Sequence, residues 1–63
     1  MDSIKQILIR RDGMSAQEAD NLINDAKEAI EEYLENNDFF AAENVCEEFF
    51  GLEPDYLGEL IPL

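Results

Sequence analysis

The chain has 63 residues, 46% of them hydrophobic, and sets sixteen Asp and Glu against four Lys and Arg with no His, a formal charge of −12. At this length one domain with a small core is expected, because such a chain buries only about 60% of its unfolded surface, and a charge of this sign repels nucleic acid and anionic membrane while attracting basic surfaces. Cys46 is the only cysteine, which excludes an internal disulfide; the lack of His excludes the usual zinc-finger ligand sets; and no apolar run approaches the roughly 20 residues of a membrane span.

The apolar residues recur at helical period, which argues against disorder. A first short helix is expected from about Ser3 to Arg10, with Ile4, Ile7, Leu8 and Arg11 on one face. Ser3 or Asp2 can cap its start, and Arg10 and Arg11 stand at its carbonyl end, where the helix dipole favours cations. Asp12-Gly13 breaks it. Ser15-Ala16-Gln17-Glu18 then matches a capping box, with Met14 placed to pack on Ala19 as a hydrophobic staple.

The second helix should be the longest, from Ala16 to Glu35. Ala19, Leu22, Ile23, Ala26, Ile30, Tyr33 and Leu34 form its apolar stripe, and Asp25, Glu28, Glu31, Glu32 and Glu35 its opposite face. Asn36-Asn37-Asp38 offers a turn and a new cap. A third helix is expected from Phe39 to Phe50, with Ala42, Val45, Cys46 and Phe49 inward and Phe39, Ala41 and Phe50 flanking them. Gly51 suits the left-handed residue past a helix end. Pro54 suits the first position of a last short helix, which packs through Tyr56, Leu57, Leu60 and Ile61, is weakened by Gly58 and is ended by Pro62. The expected fold is therefore all-α: a compact bundle of three to four short helices, the second the longest, forming one small domain over residues 1–63.

The stretches Arg11-Asp12-Gly13-Met14-Ser15 with Glu18-Ala19, and Phe50-Gly51-Leu52-Glu53-Pro54-Asp55-Tyr56-Leu57, resemble small acidic proteins of phages and mobile elements in Gram-positive bacteria. That family has no assigned chemistry, so the resemblance implies no functional residues. It implies a phage or mobile-element setting and a bacterial cytoplasm. The residues are compatible with that location: the first eleven carry four charges and no continuous apolar stretch, unlike a secretory signal, and a lone thiol suits a reducing compartment.

Catalysis is not expected. Without His there is no ordinary Ser–His or Cys–His nucleophile pair. Cys46 lies on an apolar stripe as a small hydrophobe, and Glu43, Glu47 and Glu48 supply the reverse of the electropositive setting that activates a thiol. Carboxylates are plentiful, but an acid–base pair needs a cleft that separates their pKa values. Asp12-Gly13 lacks the alternating acids of an EF-hand loop, and the Glu-x-x-His of di-iron bundles is absent. No cofactor or metal is expected.

The charge itself is uneven. Residues 1–11 sum to +2 and residues 12–63 to −14, with Lys27 the only cation in the longer part. Only Lys5, Arg10 and Arg11 could meet phosphates, so nucleic-acid binding is disfavoured. Glu28 with Glu32 and Glu31 with Glu35 are like-charge i, i+4 pairs, each costing roughly 0.2–0.5 kcal/mol in an isolated helix. Glu31, Glu32 and Glu35 also crowd the carbonyl end of the second helix, and Glu47 and Glu48 that of the third. Local rules broken repeatedly in one direction mark functional surfaces, whereas a solvated face that keeps a small protein soluble needs no partner.

The candidate partner-binding residues are Glu28, Glu31, Glu32, Glu35, Phe40, Glu43 and Glu47, with Glu43 and Glu47 joining the row if the second and third helices pack antiparallel. Phe40 either projects among acids as a contact anchor or folds inward ahead of the helix proper. Two functions follow: a non-catalytic module that docks on a basic, nucleic-acid-binding protein surface, or a structural protein that assembles through homodimerisation.

Overall fold

The computed structural model describes residues 3–61. Asp2, the alternative first cap, and Pro62, the expected final stop, lie outside the described residues. The chain folds as α1 (Ile4–Asp12), α2 (Ala16–Glu35), α3 (Phe39–Glu43), a π-helical segment (Cys46–Phe50) and a 3-10 helix (Pro54–Glu59). Among the described residues there is no strand, and α2 is the longest element, as its unbroken apolar stripe requires. None of these helices is long and apolar enough to cross a membrane.

Caps set the boundaries. Ser3 closes a full capping box with Gln6: its hydroxyl accepts from Gln6 N at 3.3 Å, and Gln6 Oε1 accepts from Ser3 N at 3.1 Å. Ser15 accepts from Glu18 N at 3.1 Å, but the return bond from the Glu18 side chain is not formed, so the expected box at α2 is half built. Helix α1 runs two residues beyond Arg10, because Gly13 supplies the left-handed residue (φ 67°) and Met14 N donates to Leu8 O at 3.3 Å.

The core gathers around α2. Ala19, Ala26 and Ile30 are buried, and α1 packs on them through Ile4 and Leu8. The small side chains of Ala19 and Ala26 let the neighbouring backbone approach. From the C-terminal half, Ala42, Val45, Cys46, Phe50 and Leu60 complete the buried cluster. Met14, Leu22, Ile23, Tyr33, Phe49, Tyr56, Leu57 and Ile61 lean on it half-buried.

The third helix departs from expectation. It is not one helix from Phe39 to Phe50 but breaks at Asn44. Asn44 N donates to Ala41 O at 3.1 Å and the Asn44 amide donates to Phe40 O at 2.9 Å, so side chain and main chain together tighten and close the first turn. The chain then resumes as a wide π turn that ends at Gly51 (φ 65°), with Leu52 N donating to Cys46 O at 3.1 Å. A wider turn rotates less per residue, so Phe50 comes to lie under Cys46 and is buried, while Phe49 drifts to the half-buried edge. The inward stripe is thus Ala42, Val45, Cys46 and Phe50.

Two further expectations are corrected. Leu34, in the last turn of α2, is exposed rather than part of the buried stripe. Phe39 is also exposed: it is the first residue after the Asp38 cap, at the outer edge of a five-residue helix. The last segment is a 3-10 helix, yet Leu60 is buried and Tyr56, Leu57 and Ile61 are half-buried, the packing face its sequence implies.

A scaffold of this size holds only about 3–5 kcal/mol of core stability. Ile30→Ala, which empties the centre of the cluster, should cost about 2–5 kcal/mol and leave the chain largely unfolded. Leu34→Ala, one turn on, should cost less than about 1 kcal/mol. Ser15→Ala should fall between them, at about 0.5–2 kcal/mol. Urea unfolding followed by helical circular dichroism checks the order; equal effects of Ile30→Ala and Leu34→Ala would contradict this core.

Candidate protein-binding face

Each acid expected on the outer side of α2 is exposed: Glu28, Glu31, Glu32 and Glu35. They share one side of the helix because they recur at intervals of three and four, out of phase with Ala26 and Ile30. None has an ion-pair partner among the described residues, and the last turn of α2 holds no basic residue. Lys27, one turn before Glu31, lines a depression with it without forming an ion pair among the described residues. Lys5 pairs with Asp20 at 3.2 Å, and Arg11 pairs with Asp12 at 3.0 Å while also donating to the Phe50 carbonyl at the end of the π segment.

The acidic row runs into a corner. Asn36 N donates to Glu32 O at 3.2 Å, Asp38 N donates to Tyr33 O at 2.8 Å, and Asn37 takes a left-handed φ of 58° between them. Asp38 then caps α3 by accepting from Ala41 N at 3.2 Å. This hydrogen-bonded turn leads from Leu34 and Glu35 to Phe39, 60% exposed, and Phe40, 76% exposed. Of the two positions open to Phe40, it takes the outward one.

Glu43 and Glu47 are exposed as well. They do not join the α2 acids in one pocket. Glu47 lines a depression with Asn44 and Glu48, whereas Glu31 lines a separate one of about 220 Å³ with Lys27, Glu59, Leu60 and Ile61. The break at Asn44 separates Glu47 from the continuous helix that would have carried it in register with Glu43. Among the described residues, no three His, Cys, Asp or Glu side chains converge as metal ligands would. The candidate residues form an open face rather than a cleft.

Two residues the sequence did not single out bear on this face. Phe39 doubles the apolar anchor that Phe40 alone was expected to provide; its place at the first helical position after a cap is the only local signal. Glu59 has a structural role, accepting from Ile4 N at 3.2 Å and so placing negative charge at the start of α1, where free N–H groups favour it. No local pattern announces a bond across 55 residues of chain.

Compared with known proteins, the chain matches no family model, no curated protein and no solved structure.

Cys46 is fully buried, and burial first and the Glu59 charge second push its thiol above the usual range. A raised folded-state pKa means that its contribution to stability is complete below the unfolded value and is lost as the pH rises through the folded one. Stability should therefore fall above about pH 8.5, and Cys46→Ala should remove that part of the slope. Asp12 shows the opposite sign: the hydrogen bond from Arg11 lowers its carboxyl, so its contribution is present above about pH 4 and lost on further acidification. Urea midpoints measured from pH 3 to 10 check both limbs. A native thiol that reacts with alkylating reagent as fast as a free cysteine at pH 8 would contradict the burial.

Proposed function

We propose that the chain is a non-catalytic, acidic protein-binding module that docks on a basic protein surface, of the kind that itself binds nucleic acid. The observation that carries this reading is the row of exposed, unpaired Glu28, Glu31, Glu32 and Glu35 leading into the exposed Phe40. Carboxylates spaced along a rigid helix present negative charge where phosphates would approach, so the module would compete for a phosphate-binding surface. Glu43 and Glu47 extend the same field across the corner without forming a pocket. The phage-encoded setting rests on the resemblance of the Arg11–Ser15, Glu18-Ala19 and Phe50–Leu57 stretches, and a bacterial cytoplasm on that resemblance together with the charged N-terminal segment and the lone thiol.

A second reading is structural assembly through homodimerisation, and the exposed Leu34, Phe39 and Phe40 favour it. Salt separates the two. Electrostatic docking weakens as salt screens it, whereas apolar pairing of two chains of charge −12 strengthens.

The triple variant Glu31→Gln, Glu32→Gln, Glu35→Gln tests the first reading, because it removes charge while keeping shape. The native chain, immobilised at low salt in a bacterial lysate, should retain basic proteins that elute at high salt, and the triple variant should lose most of them. Association with a purified partner should slow roughly tenfold or more, with a flatter salt dependence. The variant itself should gain a few tenths of a kcal/mol in stability as like-charge repulsion is relieved. Equal capture by both forms would remove this face from recognition and leave solubility as its role.

A further inference from the structure

We propose that the corner between α2 and α3 is built to seat a segment whose apolar side chains are flanked by Lys and Arg, the apolar residues resting on Phe39, Phe40 and Leu34 and the cations lying along Glu31, Glu32 and Glu35. This rests on the docking role proposed above and narrows it from a basic surface to a basic, apolar segment.

The apolar part comes first. Leu34, Phe39 and Phe40 fall within seven consecutive residues, at the end of α2 and the start of α3, and are 37%, 60% and 76% exposed. From the area such side chains carry, the corner leaves on the order of 300 Å² of apolar surface in water. That matches the largest patch of an ordinary monomer, which is often functional. The core sets Ile4, Leu8, Ile30, Val45, Phe50 and Leu60 beside Ala19, Ala26 and Ala42, so three of its positions hold only a methyl side chain. Two phenylalanines placed outside such a core are not surplus from a crowded interior.

The corner is also fixed before any partner arrives. The bonds from Asp38 N to Tyr33 O and from Ala41 N to the Asp38 side chain hold the turn, and the Asn44 amide bonds to the Phe40 carbonyl. Phe39 and Phe40 therefore stand on ordered backbone, which reduces the entropy lost on binding.

Charge decides the occupant. A second copy would bring its own acidic row against this one. The corner alone also offers well under the roughly 800 Å² per partner of a stable interface, so a dimer would have to bury the acidic surroundings of both chains. A neutral apolar segment would shield unpaired carboxylates from water without compensating them. A segment with cations beside its apolar residues satisfies both parts at once. The carboxylates on this side form no ion pair among the described residues, and beyond Lys27 the described chain holds no cation.

Three synthetic peptides of equal length test this by titration into the full chain: one alternating Leu and Phe with Lys and Arg, one oligolysine of the same charge, and one with the same apolar residues flanked by Gln. The first should bind at least tenfold more tightly than either of the others. Phe39→Ser with Phe40→Ser should remove that tenfold advantage through faster dissociation and leave oligolysine binding unchanged. Both residues are exposed, so the substitutions leave the buried cluster intact, and unaltered helical dichroism confirms it. Oligolysine binding as tightly as the mixed peptide would overturn this inference while leaving the docking role standing. Failure of every cationic peptide to bind would overturn both. Sedimentation showing a dimer in the native chain that the double variant abolishes would assign the corner to a second copy instead and overturn the inference.

Discussion

Everything in this fold depends on the burial of one stripe of α2. Ala19, Ala26 and Ile30 are the surface on which α1 and the C-terminal half both pack. A 20-residue helix with one buried side must turn the remainder to water. With sixteen acids and four bases to place, that remainder becomes a row of carboxylates. The core and the candidate recognition face are thus two phases of a single helix, and neither can be changed in register without the other.

Charge ties α1 to the C-terminal half of the chain. Glu59 from the last helix sits at the start of α1, and Arg11 at the other end of α1 reaches the Phe50 carbonyl, where the π segment ends. Each contact places a charge at the helix terminus of opposite sign. The cations of the N-terminal segment are thereby drawn into structure: Lys5 faces Asp20 and Arg11 faces Asp12. Glu28, Glu31, Glu32 and Glu35 keep no ion pair among the described residues, and their charge stands on the helix that leads to Phe39 and Phe40.

The α2 boundaries were legible in the sequence because Ser15, the apolar period and Asn36-Asn37-Asp38 agree with one another. Asp38 and Gly51 were legible for the same reason: a cap and a left-handed position each need particular residue types. The break at Asn44 was not, because the residues around it keep a helical apolar period on both sides. The turn there is closed by Asn44 itself, through its N–H to Ala41 O and its side-chain amide to Phe40 O. The exposure of Leu34 and Phe39 was hidden for a different reason. Both fit an inward stripe by phase, and their exposure is a tertiary fact no local pattern encodes. The acidic row could be read residue by residue; its separation from Glu47 could not, since it follows from the same break.

The central claim is that the outer row of α2 and the Phe39–Phe40 corner act as one recognition surface. Amide chemical-shift mapping of the isotopically labelled chain, titrated with the peptide of alternating apolar and basic residues, tests it directly. The account predicts perturbations confined to Glu28–Glu35 and Asp38–Glu43, with α1 and the 3-10 helix unmoved. Perturbations centred on α1, with Phe39 and Phe40 unmoved, would contradict it.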